Sequence, residues 1–197
     1  MELVVVGGAL ALVALRATVV ERNRRTLAGR TLESYARARG YRFVAASRTG
    51  AQSPSVHGEK DDVPFTIDLF RLHGQLRTRV SAPVTRGRTP RLSVVQRGGL
   101  SRALGAREPG ETPLDDPAFD RAYRVTGAEA DDARAVLAEA RRPLLLLDER
   151  ADVWLACDGS RVTLTWAGVE TAPIFLDAAR NAVVIAASWH RPDAPYR

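Results

Sequence analysis

Between Pro64 and Val84 apolar and polar residues alternate with a period of two, the pattern of half-buried strands. A turn at His73-Gly74 sets Leu72 opposite Gln75; Leu69 then faces Thr78, Ile67 faces Val80 and Phe65 faces Ala82, and these three pairs share one apolar face with Leu76. On the other face Asp68 meets Arg79, an opposite-charge cross-strand pair, and His73 reads as a turn residue. The alternation recurs in "ADVWLACDGSRVTLTW", where Asp158-Gly159 predicts a type I′ turn. That turn pairs Leu155 with Val162, Val153 with Leu164 and Ala151 with Trp166, with Cys157 on the same face. Trp154 then falls on the opposite face with Arg161, Thr163 and Thr165, where it either supports a second layer or marks a contact surface. Shorter strands are predicted over Tyr41 to Ala46, Ser55 to Glu59 and Arg91 to Gln96, and in "AFDRAYRV" with Phe119, Tyr123 and Val125 inward.

A period near 3.6 replaces alternation elsewhere. Leu27, Leu32 and Tyr35 recur at helical spacing, and Gly40 stops that helix at its C′ position. Thr126 and Glu129 form a capping-box pattern ahead of "ADDARAVLAEA", with Asp131 and Asp132 at the positive end of the helix dipole. Pro143 ends that helix or starts a short one. In "TAPIFLDAARNAVVIAASW" Ile174, Phe175, Ala178, Ala179, Ala182, Val183, Ile185 and Ala186 make a wide apolar face, opposed by Asp177, Arg180, Asn181 and Ser188. The chain therefore reads as α+β: an antiparallel sheet of hairpins with packed helices, preceded by an apolar N-terminal helix. Residues 1–20 form the N-terminal segment and 21–197 the domain, with a division into two lobes, if there is one, near 99–117.

The first segment admits several readings. Gly7 and Gly8 follow a valine run, but they are adjacent and the third glycine of a dinucleotide-binding turn is missing. Glu2 is the only charged side chain before the apolar run, which argues against a cleaved signal. Leu3 to Leu15 is uncharged and, as a helix at about 1.5 Å per residue, spans about 20 Å; extension to Val20 gives about 27 Å, against a bilayer core of about 30 Å. Arg16, Arg22, Arg24 and Arg25 follow it, so a single-pass anchor puts the domain on the cytoplasmic side of a bacterial inner membrane. The competing reading is a short buried helix or strand.

Composition narrows the function classes. A mean hydropathy of −0.17 excludes a polytopic membrane protein. The net charge is +6, but Lys60 is the only lysine among 29 basic residues, a bias that GC-rich coding produces by itself. Arginines at 71, 77, 79, 86, 88, 91, 97, 102 and 107 form a stretch without acid, whereas acids outnumber arginines from Glu108 to Asp158. Intramolecular pairing accounts for that asymmetry most simply; a basic surface toward anionic lipid is the sharper reading. Few aromatics interleave with these arginines, which disfavours nucleic acid as a partner. Cys157 allows no intrachain disulfide and reads as a small buried hydrophobe. His57, His73 and His190 lack metal-ligand spacing, no nucleotide or hydrolase motif is present, and no cofactor is expected. Asp115, Asp116 and Asp120 are the one carboxylate cluster that an enzyme would use. Trp154, Arg86, Arg88 and Arg91 are the candidate contact surface.

The stretch "DDPAFDRAYRVTG" resembles a "GDPAFDRxFxVxG" segment in uncharacterised bacterial membrane-anchored proteins, through Asp116, Pro117, Ala118, Phe119, Asp120, Arg121, Val125 and Gly127. Asp115 stands for the usual glycine and Tyr123 for the usual phenylalanine. The resemblance extends roughly from Thr112 to Ala187 and implies bacterial origin and topology, but no catalytic residue. The expected function is a membrane-anchored interaction or scaffold domain whose partners are lipid and another protein; the alternatives are an enzyme using the three aspartates and a basic nucleic-acid-binding protein.

Overall fold

A computed structural model describes residues 26–47, 52–85, 89–104 and 109–189. The proposed anchor, Arg16, Arg22, Arg24, Arg25, Arg86, Arg88 and His190 lie outside them, and among the described residues no helix is long and apolar enough to cross a membrane. The chain begins with α1 over residues 26–39. Then come β1 (Arg42–Val44), β2 (Ser55–Lys60), β3 (Val63–Leu72), β4 (Gln75–Pro83), β5 (Leu92–Gln96), α2 (Gly99–Leu104) and α3 (Pro117–Ala122). The second half holds β6 (Tyr123–Thr126), α4 (Ala130–Leu137), α5 (Arg141–Leu146), a 3-10 turn (Leu147–Glu149), β7 (Trp154–Cys157), β8 (Arg161–Ala167) and α6 (Pro173–Ser188).

All eight strands join one antiparallel sheet in the order β1-β2-β3-β4-β8-β7-β5-β6, so strands before and after residues 99–117 share it. Its register explains the sequence pattern. One row across the sheet reads Phe43, Val56, Ile67, Val80, Leu164, Leu155, Val94, Val125, one apolar residue from each strand. The helices cover this face. α6 crosses β3, β4 and β8, α5 packs on α6, and α3 packs on β6 and α5. Ala178, Ala179, Ala182, Ala186 and Ala187 are all buried on α6, and their small side chains let the helix lie close to the strands.

The β3–β4 hairpin has the expected register, with His73 and Gly74 both at positive φ in the turn. Helix α1 ends at Gly40 as expected: Tyr41 N donates to Ala36 O (2.8 Å) and Gly40 adopts φ +72°. Four expectations need correction. In β7–β8 the loop residues are Gly159 and Ser160, because the Asp158 carboxylate accepts from the backbone N–H of Ser160 and of Arg161, both at 2.8 Å. The turn moves by one residue and the pairing by two, to Leu155–Leu164, so every side chain keeps its face. "AFDRAYRV" is α3 followed by β6 rather than one strand: Pro117 occupies the first helical turn and Asp116 accepts from Phe119 N (3.1 Å) as N-cap. The Thr126–Glu129 capping box is not formed, since Thr126 is paired in β6 and Glu129 makes no side-chain cap bond to α4. On α6 the assigned faces fail at two positions, Ile174 being exposed and Arg180 buried.

Beyond the outer edge of β6, Glu111 bridges Thr126 and Thr112 N donates to Val125 O (2.8 Å). At the other end, Gly58 in β2 lies between the edge-to-face rings of Tyr41 and Phe65, whose centroids are 5.0 Å apart. A Cβ there would stand 2.6 Å from an atom of each ring. Gly58→Ala is expected to displace one ring and destabilise by about 1–3 kcal/mol, seen as a lower urea midpoint with an unchanged m-value.

Candidate binding face

The rows on the opposite face carry different chemistry. One reads Val44, Ser55, Asp68, Arg79, Thr165, Trp154, Val95, Arg124. The next reads Arg42, His57, Thr66, Ser81, Thr163, Ala156, Ser93, Thr126. Among the described residues no helix packs on this face. Trp154 is 44% exposed there and donates its indole N–H to Ser93 Oγ (2.8 Å). The described residues supply no second layer over Trp154.

Its neighbours are fixed by pairing. Asp68 holds Arg79 through two bonds of 2.8 and 2.5 Å, and the guanidinium sits 5.0 Å from the Phe70 ring centroid. Arg77 is buried and donates to Asp152 O (2.5 Å), with the Asp152 carboxylate 3.6 Å away. Arg161 reaches Ser81 Oγ (3.2 Å), and His57 lies between the hydroxyls of Ser55 (2.9 Å) and Thr66 (3.3 Å). The middle of the sheet therefore presents the Trp154 ring, the Arg79 guanidinium and the half-buried hydroxyls of Thr66, Ser93 and Thr163, whereas Ser55, Arg77, Ser81 and Thr165 are buried, and its acids Asp68 and Asp152 are both paired with arginine. Of the other candidate contact residues, Arg91 is exposed at the entry to β5.

The three aspartates are engaged locally. Asp115, in a left-handed conformation at φ +58°, pairs with Arg134 (2.8 Å). Asp116 caps α3 and meets Arg141 (3.5 Å), while Asp120 accepts from Leu114 N (3.1 Å). Each closes a loop, and none of the described grooves includes them. Among the described residues no group of histidines, cysteines and carboxylates is arranged to hold a metal. Burial pushes the Cys157 thiol up to about 12, with the Asp158 charge adding to the effect, so it stays protonated and inert. The arginine-rich stretch is answered by the acidic one: Arg77 meets Asp152, Arg97 meets Glu111 and Arg102 meets Asp148.

A second polar cluster has no counterpart in the expected sites. Arg180, buried on α6, donates to Tyr41 Oη (2.8 Å) and Tyr35 Oη (3.3 Å) and pairs with Asp177 (3.0 Å). Asp177 also takes Arg39 and the Tyr35 hydroxyl (2.9 Å), and Lys60 donates to Asn181 (2.7 Å). Burial raises the Asp177 carboxyl, but hydrogen bonds from Arg39 and Tyr35 and the Arg180 charge outweigh it and hold the group below its ordinary value. Burial likewise raises the Tyr35 phenol against the opposing Arg180 charge, keeping it neutral. The cluster joins α1, α6 and the β2–β3 turn, and beside it a groove of about 740 Å³ runs over α6 past Leu146, Ile174 and Ile185. The sequence pattern did not signal it, because Arg180 falls on the polar side of the helix with Asp177 and Asn181. Comparison of the chain with family models, with curated proteins and with solved structures finds no match.

Proposed function

We propose that the protein is a membrane-anchored interaction module that receives a partner protein on the open face of its sheet. The observation that carries this reading is the exposed Trp154, set in a row with Arg79, Thr165 and Arg124 on a face that no described helix covers. Aromatic and arginine side chains on a rigid, hydroxyl-rich surface are the residue types that dominate binding energy at protein interfaces. The uncharged run Leu3 to Leu15, with arginines after it, supports the membrane attachment, and the resemblance to anchored bacterial proteins agrees with it.

Two measurements test the two halves. The full chain is expected to pellet with membranes and a chain beginning at Arg22 to stay in the supernatant; equal partitioning sinks the anchor. A photo-crosslinker at Thr163, in the middle of the open face, is expected to give a discrete adduct in cells that is lost on Trp154→Ala. An adduct insensitive to Trp154, or one that forms equally from a probe at the helix-side residue Glu139, rejects the face. Nucleic acid in place of protein would show itself as a steep loss of binding with salt.

A further inference from the structure

We propose that the end of the domain formed by the β3–β4 turn and the start of α1 seats directly on the surface of a phospholipid bilayer. This rests on the anchored reading and adds an orientation to it. Five large hydrophobic side chains are exposed among the described residues, and three of them lie around this end. Leu27 is 55% exposed at the start of α1, Leu72 is 38% exposed beside the hairpin turn, and Ile174 is 61% exposed in the first turn of α6.

Two crevices open at this end, one beside Leu27 and one beside Pro173, the residue before Ile174. Leu27, Gly74, Gln75, Leu76, Val169 and Thr171 border one of about 620 Å³, and among the described residues no charged side chain lines it. Thr171 also borders the second, together with Pro173 and Arg30. Arg30 and Arg71 are exposed on this side and suit anionic headgroups. The chain supplies the remaining argument. The described structure begins at Thr26, next to Leu27, so the apolar run that ends by Val20 is joined to the domain here by only a few residues. Whatever bilayer holds that run is held close to Leu27, and exposed aliphatic side chains flanked by arginine are what a lipid interface receives.

The opposite end provides the control. Ser160 lies beside Val84 at the far end of β4 and β8, about ten residues from the hairpin turn and so about 30 Å from it at about 3.3 Å per residue. The full chain is inserted into phosphatidylglycerol-containing vesicles, and a solvatochromic dye is attached at His73→Cys or, separately, at Ser160→Cys; Cys157 is buried and does not compete. The dye at position 73 is expected to shift to the blue and to be quenched by headgroup-labelled lipid, and the dye at 160 to report water. Leu27→Asp combined with Leu72→Asp should return the first dye to its aqueous emission while the protein still floats with the vesicles. A protein that floats with both dyes in water, or with both in lipid, overturns the seating and leaves the anchor standing. A protein that does not float overturns both.

Discussion

Glu111→Ala is expected to cost about 3–5 kcal/mol, a large part of the roughly 5–15 kcal/mol that holds a domain folded. The Arg97 and Glu111 side chains are 7% and 5% exposed, and they meet through bonds of 3.1 and 2.5 Å. Arg97 also donates through Nε to Asp120 O (2.9 Å), so it cannot swing out to water without breaking that bond as well. Removing the carboxylate leaves the guanidinium buried without its counter-charge. The pair is not thereby a net source of stability, because burying both charges costs nearly what their attraction returns. The double replacement Arg97→Met with Glu111→Leu should therefore recover most of the loss. Urea denaturation followed by circular dichroism measures both, and a Glu111→Ala variant within about 1 kcal/mol of the parent would show that water reaches the site.

Trp166→Ala is expected to lose a comparable amount, about 3–5 kcal/mol, through the cavity left in the core. Trp166 is 1% exposed on β8 and pairs across to Thr78, which is itself buried. Trp154 belongs to the same hairpin but stands on the other face, so Trp154→Ala gives up little beyond its bond to Ser93 and should cost about 1 kcal/mol or less. The two substitutions separate folding from binding. Thermal unfolding should distinguish them by many degrees, and equal melting temperatures would mean that Trp154 is part of a packed layer. If the proposed face is right, the well-folded Trp154→Ala protein is the one that loses its partner.

The strand pattern was legible because alternation is local. Ile67 and Val80 announce their face and, through the His73-Gly74 turn, their register. The β7–β8 face was legible for the same reason, while its register depended on which backbone N–H groups the Asp158 carboxylate takes, a choice that periodicity does not encode. α3 was missed because Phe119 and Tyr123 are both inward in a helix-then-strand as they would be in a single strand; Asp116-Pro117 was the signal that decided otherwise. What periodicity does not reach is contact across the fold. β4 and β8 meet although about 80 residues separate them, and only that meeting brings Arg79 and Thr165 into a row with Trp154. Arg180 reads as a surface residue on a helical wheel, and Tyr35 and Asp177, 142 positions apart, explain why it is not.

The two margins of the sheet have a consequence for how copies of the protein can associate. An open strand edge is a template on which another chain can add itself. Here β1 ends after three residues, and the outer side of β6 is already engaged by Glu111 and Thr112. Among the described residues, neighbouring copies therefore find almost no strand edge to extend. The molecule can be concentrated at its site of action without seeding its own aggregation.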